Sequence, residues 1–384
     1  MSDRPKLRPQ LIGREPQLER LMPKLSSALA GRGSVIFLSG EAGSGKTRIA
    51  EEFQQFARNT GYSCASATCV SGQPAYAPFK KTLAMLSEME PSLVGLLSYQ
   101  ELCRSEHESS SKAGAGDKEE RMLFAARELV GAISERTPLL LRVDDLQYAD
   151  ARTIQMLHFL GRGIADQRAM IVCTFSDDEL FDREERPHPL IEAMRIMKRE
   201  ALCEEIPIPP LTEEQLGKAL GELLEKDLDD MALSSLYRES GGNPEIAVEL
   251  ALEALRSGAI VLGEEKATME TWRTLGIPTS LRDWVGRKLD ALPEDHLRLL
   301  RFAALIGEGF GADLLCRAMR RPKLETLEML DAAVKEYRLY IETEDGFRFR
   351  WGIVRRVAID RMPSATADTL RREIAKARPR RGSA

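Results

Sequence analysis

Short apolar runs and helical periodicities alternate along the first half of the chain. Ser34–Ser39 (Ser-Val-Ile-Phe-Leu-Ser) is rich in β-branched and aromatic residues and predicts a buried parallel strand. Comparable stretches at Tyr62–Val70, Leu139–Asp145, Ala169–Ser176 and Leu202–Ile208 predict four more. Between them, Arg48–Arg58, Glu119–Glu135 and Ala151–Ile164 carry apolar residues at helical spacing; Ile49, Phe53 and Phe56 mark the first. Strands alternating with helices predict a parallel sheet with helices on both faces. Ser105–Asp117 is polar and rich in Ser and Gly, which reads as a flexible surface loop.

After Pro207, Pro209 and Pro210 the strand pattern stops. Short helices are expected up to about Ala267. Thr212-Glu-Glu-Gln opens one with a capping box, and Pro244 sits in the first turn of another. Pro278 begins a third region, with helices expected at Ser280–Ala291, Glu294–Ile306, Ala312–Met319 and Leu324–Tyr337. Two alternating runs then flank Asp345-Gly346, a hairpin signal, and a last helix spans about Gly352–Arg361. Helices followed by a hairpin follow the plan of a winged helix. The expected division is a lead-in over 1–30, a sheet core over 31–210, a helical lid over 211–277, a winged-helix-like domain over 278–365 and a loose basic tail over 366–384.

Composition narrows the function classes. With 384 residues the chain has room for two or three domains, at roughly 100–200 residues each. A net charge of -5 argues against nonspecific grip on nucleic acid by the whole chain. No apolar run approaches the roughly 18 residues of a membrane span. The N-terminus has no apolar stretch behind its basic residues, so no signal peptide is expected and a cytoplasmic setting is. The cysteines at 64, 69, 103, 173, 203 and 316 are too scattered for a disulfide framework or a zinc site. The four histidines are equally scattered, and no serine or cysteine nucleophile motif appears.

The informative segment is Gly40-Glu-Ala-Gly-Ser-Gly-Lys-Thr47, placed between the first strand and its helix. Glycines let consecutive backbone N–H groups turn inward on a phosphate at the positive end of a helix. Gly40, Gly43 and Gly45 would make that turn, together with Glu41, Ala42 and Ser44. Lys46 would meet the β- and γ-phosphates, the Thr47 hydroxyl would ligate Mg²⁺, and Arg48 follows in the first helical turn. This is a Walker A motif. Its partner is Leu139–Asp145, an apolar strand ending in two acids. Asp144 would hold Mg²⁺ as a Walker B aspartate, and Asp145 stands where a catalytic carboxylate would polarise water. The strand Tyr62–Val70 lies between the two motifs, which implies the additional-strand class of P-loop NTPases.

Further segments carry a resemblance. Leu11-Ile-Gly-Arg-Glu-Pro-Gln-Leu-Glu-Arg-Leu21, the Walker A loop, Asp144-Asp-Leu-Gln-Tyr-Ala-Asp150 and Ser240-Gly-Gly-Asn-Pro244 are similar to motifs of AAA-type and STAND ATPases (signal-transduction ATPases with numerous domains). The resemblance covers roughly residues 11–365. It implies an ATP- or ADP-binding, Mg²⁺-dependent regulatory switch with slow hydrolysis, and a protein partner or self-association on ATP binding. It also implies Arg14 beside the nucleotide base and Pro244 packed over the nucleotide. Two positions depart from the pattern. Thr174-Phe-Ser176 stands where related proteins often read Thr-Tyr-Arg, and Trp351 stands where a nucleotide-sensing His is common. Losing the arginine should weaken γ-phosphate sensing, and both departures together predict weak turnover, with binding more secure than hydrolysis. Two other readings stay open: a DNA-binding ATPase of the origin-recognition or loader type, and a nucleotide-binding scaffold without turnover. The DNA reading is disfavoured because the expected recognition helix carries Glu325, Glu328, Asp331 and Glu336 against Lys335 alone. Arg348, Arg350, Arg355 and Arg356 are expected to pair with that acidic helix.

Overall fold

The strand and helix patterns resolve into two units, Gly13–Pro209 and a second beginning at Pro210. The computed structural model describes residues 11–89, 115–181, 186–263, 267–269 and 276–378.

In the first unit, α1 (Glu15–Leu29), β1 (Ser34–Gly40), α2 (Lys46–Asn59), β2 (Ser63–Thr68), α3 (Ala77–Met89) and α4 (Ala115–Arg136) are followed by β3 (Leu139–Asp144), α5 (Ala151–Gly163), β4 (Ala169–Ser176), α6 (Pro189–Arg199) and β5 (Cys203–Pro207). The five strands form one parallel sheet in the order β2-β3-β4-β1-β5. Alternate residues supply opposite faces, as the pleat requires. Val35, Phe37, Leu139, Leu141, Ile171 and Cys173 pack with α3 to α6 in one apolar cluster. The intervening Ile36, Leu38, Leu140, Met170 and Val172 are equally buried. With both faces covered, the strands read as continuous apolar runs, and all eight residues of β4 are buried.

The Walker B strand β3 is not adjacent to the Walker A strand β1, as the additional-strand class requires. The strand between them is β4, however; the Tyr62–Val70 stretch supplies the edge strand β2 beyond β3. Chain order alone could not assign that position. Most of the predicted loop Ser105–Asp117 lies outside the described residues, and from Ala115 the chain is already helical.

The second unit contains α7 (Glu213–Leu224), α8 (Asp230–Ser240), α9 (Pro244–Arg256), a ribbon of β6 (Ile260–Leu262) and β7 (Ala267–Met269), α10 (Thr279–Asp290), α11 (Glu294–Ile306), β8 (Gly309–Phe310), α12 (Ala312–Met319), α13 (Lys323–Lys335), β9 (Tyr340–Thr343), β10 (Gly346–Phe349), α14 (Gly352–Asp360) and α15 (Ser364–Ala377). The Thr212/Gln215 capping box forms as the sequence predicts. The β6–β7 ribbon appears where only helices were expected, and β8 adds a third strand to the β9–β10 hairpin. Residues from Leu211 to Ile374 share one buried cluster.

Trp351 lies in that cluster, 1% exposed, with its ring edge-on to Trp284 and the Lys288 ammonium over both rings. Gly241 has φ 61, and a Cβ there would collide with the backbone oxygen of Arg350. The Gly-Gly-Asn-Pro segment is thereby held against the chain just ahead of α14. The expected pairing of arginines with the acidic helix does not hold for Arg355, whose Nε donates to Ala304 O, while Arg356 lies 4.0 Å from Glu239. Nor is the basic end a loose tail from residue 366. α15 continues to Ala377 because apolar residues recur every three or four positions: Ala367 is buried, and Leu370, Ile374 and Ala377 pack on the core.

Candidate functional site

Three strand ends meet at the carboxyl edge of the first unit's sheet. β1 ends at Gly40 beside Ser176 of β4, and Asp144 closes β3. In open α/β sheets this edge is where ligands collect. Gly40, Gly43 and Gly45 have φ values of 154, 78 and 94, which turn the chain from strand into α2. Gly40 also passes close to β5: a Cβ there would lie 2.6 Å from Ile208 O. Among the described residues no side chain caps α2, so its first amides point out of the helix toward the loop.

Lys46 is 5% exposed, and its ammonium donates to Gly40 O (3.0 Å), Glu41 O (2.7 Å) and Ser176 Oγ (3.1 Å). Burial pulls its pKa below the usual lysine value, against the opposing field of Asp178, Asp177, Asp145 and Glu179. The Ser44 hydroxyl is buried and has no hydrogen-bond partner among the described residues. A buried cation, an uncapped helix start and an unpartnered hydroxyl fit a polyphosphate. Thr47 is exposed, and Arg48 faces Glu52 one turn along at 3.5 Å.

Asp144 is 2% exposed. Its Oδ1 accepts from the Thr174 hydroxyl (3.1 Å), and its Oδ2 lies 3.1 Å from Arg142 Nε. Burial pushes its carboxyl up to about 6, although Arg142 and Thr174 both pull the other way. Asp145 takes a left-handed φ of 60, which ends the strand. Its amide donates to Thr174 Oγ1 (3.0 Å) and its Oδ1 accepts from Gln147 Nε2 (3.3 Å). Gln147 Oε1 in turn accepts from the Ser176 amide (3.0 Å). The chain Asp145–Gln147–Ser176–Lys46 joins the two Walker motifs through a glutamine that the sequence reading missed. The acids Asp177, Asp178 and Glu179 were missed as well. Asp178 Oδ1 accepts from the Ala42 amide (3.2 Å), and Glu179 Oε2 accepts from the Tyr148 hydroxyl (2.8 Å).

Arg14 is 3% exposed, which excludes a surface salt bridge. Its guanidinium donates to Pro209 O (2.6 Å) and Ser44 O (2.7 Å), so it braces the phosphate loop against the end of the sheet. Burial lowers its pKa to about 10. Arg14→Ala leaves two carbonyls without their donor and is expected to cost about 2–4 kcal/mol of stability. Arg14→Lys should recover little of it, because one ammonium cannot reproduce the planar fork. Thermal melts of the two variants check this. Pro244 belongs to the second unit. It is the first residue of α9, after the Asn243 cap that accepts from Glu245 N (3.1 Å) and Ile246 N (3.3 Å).

Together the sheet order and the loop define a P-loop NTPase. Residues 10–172 match the family model of the AAA ATPase domain. Compared with curated protein sequences, the chain finds no match. Its fold is similar to that of a Walker-type ATPase of Pyrococcus abyssi (TM-score 0.55, 15% identity, covering 92% of this chain and 99% of that one). Looser likenesses are the Orc1 protein of Aeropyrum pernix in complex with DNA (TM-score 0.44, 16% identity, 94% and 95% covered) and a STAND protein with a tetratricopeptide repeat sensor from Pyrococcus horikoshii (0.38, 14%, 97% and 46%). At these identities a likeness shows the fold alone. An AAA ATPase domain implies binding of an adenine nucleotide, usually with Mg²⁺. Among the described residues no helix is long and apolar enough to cross a membrane.

Proposed function

We propose that this protein is a nucleotide-controlled regulatory switch in the cytoplasm that binds ATP or ADP with Mg²⁺ and hydrolyses ATP slowly. The observation that carries the reading is the buried Lys46 ammonium, hydrogen-bonded to both the phosphate loop and the tip of β4. A cation that touches both elements can couple the occupant of the loop to the Walker B edge. In this proposal the amides of residues 43–48 hold the phosphates and Arg14 braces the loop. Thr47 and Asp144 share Mg²⁺ with phosphate oxygens and water. Among the described residues no group of three or more His, Cys, Asp or Glu could hold a metal ion unaided.

Slow turnover is supported by the tip of β4. It presents the Ser176 hydroxyl followed by three acids, in place of an arginine that would stabilise charge on the γ-phosphate. Asp145, with its carboxylate engaged by Gln147, has a short reach toward water. The exposed acids Glu325, Glu328 and Asp331 on α13 oppose a DNA-binding role.

Calorimetric titration of ATP and ADP with and without Mg²⁺, read alongside particle mass, tests the proposal. The expected result is micromolar or tighter binding, a mass that depends on which nucleotide is present, and single-turnover hydrolysis over minutes. Binding without a mass change favours a scaffold. Salt-sensitive DNA binding lost on charge reversal of Arg348 and Arg350 favours the loader reading.

A further inference from the structure

The 3-10 turn Asp177–Glu179 directly follows β4, whose Ser176 hydroxyl meets Lys46, and carries three consecutive carboxylates. They are not equivalent. Glu179 is turned to the Tyr148 hydroxyl. Asp178 instead accepts from the amide of Ala42, inside the loop itself. Among the carboxylates acting on the Lys46 ammonium, that of Asp178 acts most strongly. One aspartate is therefore hydrogen-bonded to the loop one residue before the amides assigned to the phosphates, and its charge acts on the loop's cation.

We propose that Asp178 is a specificity-determining residue that makes the site prefer a nucleoside diphosphate over a triphosphate. This rests on the nucleotide-binding reading above. A carboxylate fixed on the loop is a like charge against any phosphate that reaches Lys46. Repulsion at close range in a partly buried site is far stronger than in water. A triphosphate brings the larger charge to this rim and needs Lys46 for its last group, so it bears most of the penalty. The side chain is half-buried on a short turn, so it can swing away when the free energy of binding is sufficient. Binding of a triphosphate is then linked to displacement of Asp178 from Ala42, and release of the terminal phosphate to its return.

The test is titration of Mg-ATP and Mg-ADP into the full chain, comparing the parent protein with Asp178→Asn, Asp178→Ser and Glu179→Gln. Asp178→Asn keeps the shape and removes the charge. It should tighten ATP about tenfold while ADP changes less than about threefold, and Asp178→Ser should follow it. Glu179→Gln should leave the ratio of the two affinities unchanged. Tripolyphosphate, used as a competitor against pyrophosphate, should show the same gain in Asp178→Asn. Equal tightening of ATP and ADP in Asp178→Asn and Asp178→Ser, or no change in either, overturns the inference while leaving nucleotide binding intact. Failure of the parent protein to bind either nucleotide overturns the underlying reading instead.

Discussion

Lys46→Met is expected to lower the affinity for ATP and ADP by at least about a hundredfold without unfolding the protein. Three hydrogen bonds hold the ammonium at the loop, to Gly40 O, Glu41 O and Ser176 Oγ, so the cation is positioned before any ligand arrives. A hydrogen bond to a charged group contributes about 1.5–3 kcal/mol, and losing a placed cation against two phosphates removes about two such contributions, or about two to four decades in Kd. Stability should behave differently. Burial lowers the Lys46 pKa, so the folded state binds its proton less tightly than the unfolded chain does. The contribution of that group to stability is therefore unfavourable at neutral pH and improves only as the pH rises through its folded pKa toward the ordinary value. An apolar side chain of similar length removes that cost and fills the space, but it leaves Gly40 O and Glu41 O without their donor, so the two effects oppose each other. Melting temperature changed by no more than a few degrees, with calorimetric binding lost, is the expected pair of results. A large fall in both would mean that Lys46 serves the fold rather than the ligand.

Asp144→Asn should produce a second split of this kind. The carboxyl of Asp144 is raised from 3.8 to about 6, chiefly by burial. For an acid whose folded pKa is raised, the folded state holds the proton more tightly, so stability falls as pH climbs from about 4 to about 6 and stays reduced above that window. The shift corresponds to roughly 3 kcal/mol at neutral pH. Part of this is offset in the variant because Arg142 loses its anionic partner at 3.1 Å. The expected net effect is a rise in melting temperature of about 2–6 °C at pH 7, shrinking toward zero near pH 4. Function should move the opposite way. An amide is a poor ligand for Mg²⁺, so the gain in ATP affinity on adding Mg²⁺ should largely vanish. In the parent protein that same gain should fade as the pH drops below about 6. Melting curves and Mg²⁺-dependent titrations between pH 5 and 8 check both halves.

The elements that the sequence revealed are those written in local spacing. The phosphate loop needs eight consecutive residues, and its strand and helix flank it directly. Asp144 could be found because a buried strand ends on it. The fourth strand was visible as an apolar run, but its place between the two Walker strands depends on pairing with residues more than a hundred positions away. Gln147 and Asp178 were illegible for the same reason. A glutamine after two acids, or an aspartate in an acidic turn, looks like ordinary solvated surface until the fold brings Ser176 or Ala42 against it. Arg14 was noticed through its motif, yet its carbonyl partners come from the loop and from the end of the sheet. Short strands such as Gly309–Phe310 show no periodicity at all. The helix Ser364–Ala377 was hidden by its arginines, whose charge masked the apolar repeat beneath.

The contact at Gly241 has a mechanical consequence. Because no side chain fits between that glycine and Arg350 O, the turn between α8 and α9 lies directly against the approach to α14, and any larger residue at 241 must push the two apart. The tryptophan just after that contact packs into the shared core. Gly241→Ala is the smallest change that would pry the two segments apart.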